Sequence, residues 1–518
     1  MNILYLSLDE RPCNYDYPQA IARLQPQITL IVPPKSRLGV KKQPAPLDKL
    51  WAWLQASVGN CQVAILSLEM LVYGGLLPSR LHQDDTATLL NRLAGLRALK
   101  NTQPQLKILA STLIMRTPAY DSSEEEPDYY AEFGARIFRW GWLHDQQQRQ
   151  GLADAEAAEL ARVDAELPAA VLDDYRQRRQ RNLRVNQEAI ALVAQGVIDF
   201  LAIPQDDCAR YGFTALERQQ LTQAIARQRL QHRIHLYPGA DEVGCTLLAR
   251  AYSQHQGESP GLYPLYSSPH GAATIPLYED RPLNISVPAH ILAAGGQIAA
   301  SPEQAAAILA VNTPGQVMQE AWDHPAQDIT YTTHRNLRVF VARVASEVAV
   351  GRPVAIADVA FTNGGETELI TMLDDAALWD DLLAYAGWNT CCNTLGTAIA
   401  TTILGLGSGE AGAIATQKSL ASSKTGPIKP LCARKSPKII YPRSALPITT
   451  STARKQPSRL KSLVASNLIG KPHFNILFIT GMSHCKSLHP GNDFLRLDSP
   501  LSVSQFCPAS LPICRSEP

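Results

Sequence analysis

Two adjacent carboxylates, Asp206 and Asp207, follow an apolar run, Phe200 to Ile203, that Pro204 closes. Two such side chains repel each other unless a cation, a shared proton or a substrate compensates them. The same layout, an apolar run followed by polar groups, recurs along the chain. It is found at Asp9-Glu10-Arg11, at Glu69 with Tyr73 and Arg80 beyond it, at Arg116, at Asp241-Glu242, at Asn312, at Asp358 with Asn363, and at Trp388-Asn389. Gln205 precedes the Asp206-Asp207 pair. Acids dominate the set, with arginines and amides among them. Carboxylates and amides exchange hydrogen bonds with hydroxyls, and Trp or Tyr packs on the apolar face of a sugar ring. Paired carboxylates also divide acid and base work when their surroundings push their pKa values apart. In glycoside hydrolysis one carboxyl group stands on each side of the scissile bond. The expectation is therefore a hydrolase acting on a carbohydrate-like or other small polar substrate. Asp206, Asp207, Asp241 and Glu242 are the candidate catalytic groups. Asp9, Glu10, Arg11, Tyr73, Arg80, Arg116, Gln205, Asp358, Asn363, Trp388 and Asn389 are the candidate substrate-binding groups. The competing class is a non-catalytic, two-lobed sugar or sugar-acid binding protein.

Each member also has a structural explanation. Asp9-Glu10-Arg11-Pro12 reads equally as a salt-bridged turn, and Asp241-Glu242 as first-turn acids of a helix. Asn363-Gly364 is a common turn pair, and Trp388 a core side chain. Turns and caps alone do not explain why all of these fall at the same end of successive strands. Asp206, Asp207, Asp241 and Asp358 would offer hard oxygen ligands to a divalent ion of the magnesium or manganese kind. No HExxH motif or Cys quartet argues for zinc, no P-loop or GxGxxG for a nucleotide, and no GxSxG for a serine nucleophile. No cofactor is evident.

The elements that must hold these groups alternate. Ile3–Leu8, Ile28–Val32, Val63–Leu68 and Leu106–Leu113 read as strands, with helical spacing at Leu47–Leu54 and Leu89–Leu99. After an acidic loop, Ser122 to Glu126, residues 120–195 read as a helical insertion of two or three helices. The alternation resumes at Phe200, Ile234, Ile308 and Val354. Such alternation predicts an α/β fold with mainly parallel sheets. The reading is two lobes, residues 1–260 and 261–404, separated by a Pro-, Gly-, Ser- and Tyr-rich stretch. A single distorted β/α barrel is the alternative.

Net charge is +1, but residues 411–518 hold 15 Lys and Arg against 3 Asp and Glu, and residues 1–410 hold 33 against 44. The basic tail, from about 405, is rich in Ser and Pro, and its junction falls inside a good helix pattern, Leu395–Leu404. It reads as a disordered or out-of-frame segment, so no nucleic-acid partner is inferred from its charge. The start lacks the basic and long apolar regions of a signal peptide, and no apolar run reaches membrane-spanning length. Ten scattered cysteines without CxxC pairs fit reduced thiols, and a cytoplasmic location is expected.

Taken jointly, several motifs resemble the bacterial family catalogued as domain of unknown function 4127. They are Leu8-Asp9-Glu10-Arg11-Pro12-Cys13-Asn14-Tyr15, Tyr73-Gly74-Gly75-Leu76 through Ser79-Arg80, Gln205-Asp206-Asp207, Tyr237-Pro238-Gly239-Ala240-Asp241-Glu242, and Trp388-Asn389-Thr390 with Asn393-Thr394-Leu395-Gly396. The resemblance covers about residues 1–403. It implies a cytoplasmic α/β protein and brings no mechanism with it.

Overall fold

The computed structural model describes residues 1–406 and the strand Ile476–Phe478. The reading of residues 405–518 as a disordered or out-of-frame tail otherwise lies outside the described residues.

Six parallel strands form the first sheet: β1 (Asn2–Leu6), β2 (Thr29–Ile31), β3 (Val63–Ser67), β4 (Lys107–Ser111), β5 (Phe200–Gln205) and β6 (Ile234–Pro238). Their order is β2-β1-β3-β4-β5-β6. The second sheet uses β7 (Gly261–Tyr266), β8 (Gln297–Ile298), β9 (Ala307–Asn312), β11 (Val354–Asp358), β13 (Ala384–Ala386) and β14 (Ile476–Phe478). Its order is β8-β7-β9-β11-β13-β14, also parallel. Counted from its own first strand, the second sheet repeats the order of the first. This is the doubly wound pattern in which the sheet reverses direction beside its first strand. Both sheets are open, so the barrel alternative does not form. A two-stranded ribbon, β10 (Gln319–Glu320) with β12 (Phe361–Thr362), lies outside both sheets.

The strands are parallel because helices return the chain, and the central strands of each sheet are buried on both faces, whereas the edge strands β2 and β8 are not. β3 and β9 are buried at every residue. One core joins the two sheets. It runs from Ile3 and Ile65 through Leu247 and Leu248 of the Val243–Gln256 helix and Leu395 and Ile399 of the Cys391–Leu406 helix to Leu309 and Ala357. The helical insertion is three helices, Tyr130–Gln150, Asp154–Glu166 and Ala169–Ala194. The last covers the other face of the first sheet through Val185, Ile190 and Val193. Cys391 and Cys392 are small buried side chains, and all six described cysteines are free.

Two prolines depart from the sequence reading. β5 does not stop at Pro204 but continues to Gln205. The residue-by-residue pairing with β4 ends at Ala202, so the chain can carry a proline beyond it. β7 lies in the stretch expected to be a boundary. β8 pairs only with Gly261 and Leu262, so at Pro264 β7 has an open side. Proline is tolerated at such an edge.

Candidate functional site

The strand ends do bring distant acids together. Pro12 begins the Pro12–Ala22 helix, so Asp9, Glu10 and Arg11 form the exit from β1. Asp9 Oδ1 accepts the Arg11 amide at 3.0 Å, and Asp9 Oδ2 accepts Arg11 Nε at 2.6 Å. The guanidinium also grips both oxygens of Asp241, which follows β6. Asn14 Nδ2 bridges the same two carboxylates at 2.8 and 3.0 Å. Asn389, after β13, donates to Asp241 Oδ2 at 3.2 Å, and Asn393 Oδ1 accepts the Asp241 amide at 2.9 Å. The salt-bridged turn read from the sequence is thus real, and it is also half of an assembly spanning both sheets. Asp241 acts as an anchor rather than a helix cap.

A second group adjoins it. Arg80 donates to Asp206 at 2.7 Å and reaches Glu125 and Glu126 at 3.2 and 3.3 Å. Arg116 donates to Glu126 and Glu125 at 2.8 Å each and to Asp207 at 3.1 Å. Burial raises Glu125, but Arg116, Arg80 and Arg11 outweigh it and hold the carboxyl down at about 2. The Arg11 contribution ties the two groups together. Asp207 goes the other way. Burial and the charge of Asp206 lift it to about 6, against the pull of Arg116 and Arg80. Its side chain keeps 22% of its surface, so water screens part of that shift.

Hydrogen bonds link these groups along a second path, and with the charge of Arg11 acting on Glu125 the two paths make a ring. Cys208, next to Asp207, donates its amide to the Tyr278 carbonyl at 2.8 Å. The Tyr278 hydroxyl donates to Glu320, which accepts Asn363 Nδ2 at 2.8 Å. The Asn363 amide donates to the Asn389 carbonyl at 2.7 Å, which returns the path to Asp241. Asp207, Tyr278, Asn363 and Asn389 all hold positive φ, at 33°, 67°, 63° and 50°. They are four of the seven described non-glycine residues that do so. Asn accepts that conformation readily, Tyr does not, and such backbone persists where surrounding structure enforces it.

Other expected members lie elsewhere. Glu10 accepts the Lys41 amide at 2.8 Å at the periphery. Tyr73 is buried beside His82. Gln205 is spent on Asp280 and Arg281. Trp388 is a core side chain, edge-on to Tyr17. Asp358 is 1% exposed, and its oxygens accept Asn312, Tyr385 and the Glu366 amide at 2.8, 2.6 and 2.6 Å. Glu366 in turn pairs with buried Arg335. That network braces the carboxyl ends of the second sheet. Sequence reasoning missed Asn14, Glu125, Glu126, Tyr278, Glu320 and Asn393. Asn14 and Asn393 stood inside the quoted motifs, and Glu125 and Glu126 inside the acidic loop. Tyr278 and Glu320 carried no local signal.

Glu242 is enclosed, not presented. It has no exposed surface, and a Cβ on Gly396 would stand 2.1 Å from its Cγ. Burial raises its carboxyl to about 8, so it is mostly protonated at neutral pH. A raised acid makes the folded state hold its proton more tightly, so stability falls as pH climbs from about 4.5 through 8. Glu242→Gln should therefore melt close to the parent at pH 4 and above it at pH 9, read by thermal denaturation at both. A parent that gains stability between those values relative to Glu242→Gln refutes the assignment.

Among the described residues no group of three or more His, Cys, Asp and Glu side chains is placed to hold a metal ion. No described helix is long and apolar enough to cross a membrane.

The chain is thus an open, twice doubly wound α/β protein with a polar ring at the carboxyl ends of its strands. Residues 3–423 match the family described as "Protein of unknown function (DUF4127)", and the chain belongs to that family. No curated protein and no solved structure matches it.

Proposed function

We propose that the ring binds a small, neutral, polyhydroxylated molecule of carbohydrate type and that the protein hydrolyses it, with Asp207 as general base. The observation that carries this reading is the position of Asp207. It is a partly exposed carboxyl raised to about 6, in a left-handed backbone conformation, on a ring built from both sheets. At pH 7 such a group is mostly ionised and still basic enough to take a proton from water. Arg116 holds it in place. Asn363, Asn389 and Tyr278 supply amides and an aromatic face for hydroxylated ligands. Around the ring stand Asp9, Asp206, Asp207, Asp241, Glu125, Glu126 and Glu320 against Arg11, Arg80 and Arg116. This excess of acid favours a neutral ligand over a sugar acid. A cytoplasmic location belongs to the same proposal.

Thermal shift of the full chain against neutral sugars, polyols and sugar acids, followed by product analysis on the binders, tests it. Saturable stabilisation by a neutral compound with hydrolysis supports the proposal. Binding without product favours the second reading, a sugar-binding protein, which Asn363 and Asn389 support by linking the second sheet to Asp241 on the first. Stabilisation by sugar acids alone overturns the neutral-substrate assignment.

A further inference from the structure

The second sheet has its own open groove, of about 790 Å³, and none of the ring residues lines it. It follows β7 to Tyr266, Ser267 and Ser268 at the carboxyl end of that strand. That end is the point where the strand order reverses, between β8-β7 and β9. The Leu283–Ala293 helix after β7 packs into the core shared with the first sheet, whereas the Leu337–Ala349 helix after β9 packs on the opposite face. Chains departing to opposite faces leave a crevice, and in open α/β sheets ligands occupy it.

The lining has one electrostatic character. No Asp or Glu contributes to it, while Arg343, Arg335, His334, two tyrosines and several hydroxyls do. Arg335 is neutralised by Glu366. Arg343 has no ion-pair partner among the described residues. The 13-residue Leu337–Ala349 helix begins beside the groove, where Asn336 caps it by accepting the Val339 amide at 3.1 Å. His334 stands beside it, its ring 5.4 Å from that of His270.

We propose that this groove binds a phosphate-bearing small molecule, with the phosphate held by Arg343, His334 and the start of the Leu337–Ala349 helix and the remainder lying along Tyr263 and Tyr266. A guanidinium, a histidine, hydroxyls and a helix N-terminus without a competing carboxylate are the donors a phosphate needs. The ring, rich in acid, is unsuited to the same ligand, so the two sites bind different chemistry.

Calorimetric titration of the full chain with inorganic phosphate, and with acetate as a carboxylate probe, tests this. Saturable phosphate binding is expected, weakened at least tenfold in Arg343→Gln and in His334→Gln and unchanged in Asp207→Asn. Both positions lie near or at the surface, and melting temperatures equal to the parent's would show that the variants fold. Absence of saturable phosphate binding overturns the proposal, as does parental affinity in Arg343→Gln. Acetate binding as tight as phosphate overturns the assignment of the phosphate group.

Discussion

Asp207→Asn is expected to lower turnover by a hundredfold or more and to leave the melting temperature at pH 7 equal to the parent's or above it. The size follows from the role: loss of a positioned general base typically costs 10²–10⁴-fold. The stability result follows from linkage. Asp207 is raised from 3.8 to about 6, so the folded state favours its protonated form. That stabilisation is complete at low pH and disappears as pH rises from about 4 to 6. Asparagine removes the charge that burial and Asp206 penalise, and keeps an oxygen for Arg116. Activity of the parent should rise with pH through a limb near 6, and the variant should lack that limb. The measurement is a pH profile of kcat/KM on whichever substrate the ligand panel yields, with thermal denaturation beside it. Unchanged turnover, or a melting temperature several degrees lower, would make Asp207 a structural partner of Arg116 and end the hydrolytic reading.

Arg335→Met should have the largest effect on stability, and it acts away from the ring. The guanidinium and Glu366 are both buried, and the carboxylate also accepts Asn312. Methionine fills much of the volume but leaves an uncompensated charge. Breaking a buried pair by removing one member costs about 3–5 kcal/mol. The double variant Arg335→Met with Glu366→Gln should recover much of that loss, because the charge has gone as well. Denaturant unfolding of parent, single and double variants gives the comparison. A single variant within about 1 kcal/mol of the parent would show that the pair is dispensable.

The two predictions separate groups that look alike in the sequence. Asp207 and Asp358 are both acids at or just beyond a strand end, and both are raised to about 6. One keeps open surface beside a ring, and the other is sealed by Asn312, Tyr385 and the Glu366 amide. Nothing in the local pattern of either distinguishes them.

What the chain itself determined was the run of elements and their ends. Apolar stretches buried on both faces must become parallel strands, and helices must return the chain between them, so polar residues gather at the carboxyl ends. That much is local physics: periodicity, proline breaks and the cost of burying unpaired charge. Asp9, Arg11 and Asp241 were legible as a set for this reason, although 230 positions separate Arg11 from Asp241. The folded protein alone decided which groups meet. Arg11 bridges β1 to β6, Asn389 reaches across from the second sheet, and Tyr278 and Glu320 close the circuit from segments with no strand-end signature. Trp388, Asp358 and Glu242 went inward instead. Burial and partnership depend on packing between elements far apart in the chain, and neither periodicity nor residue type encodes them.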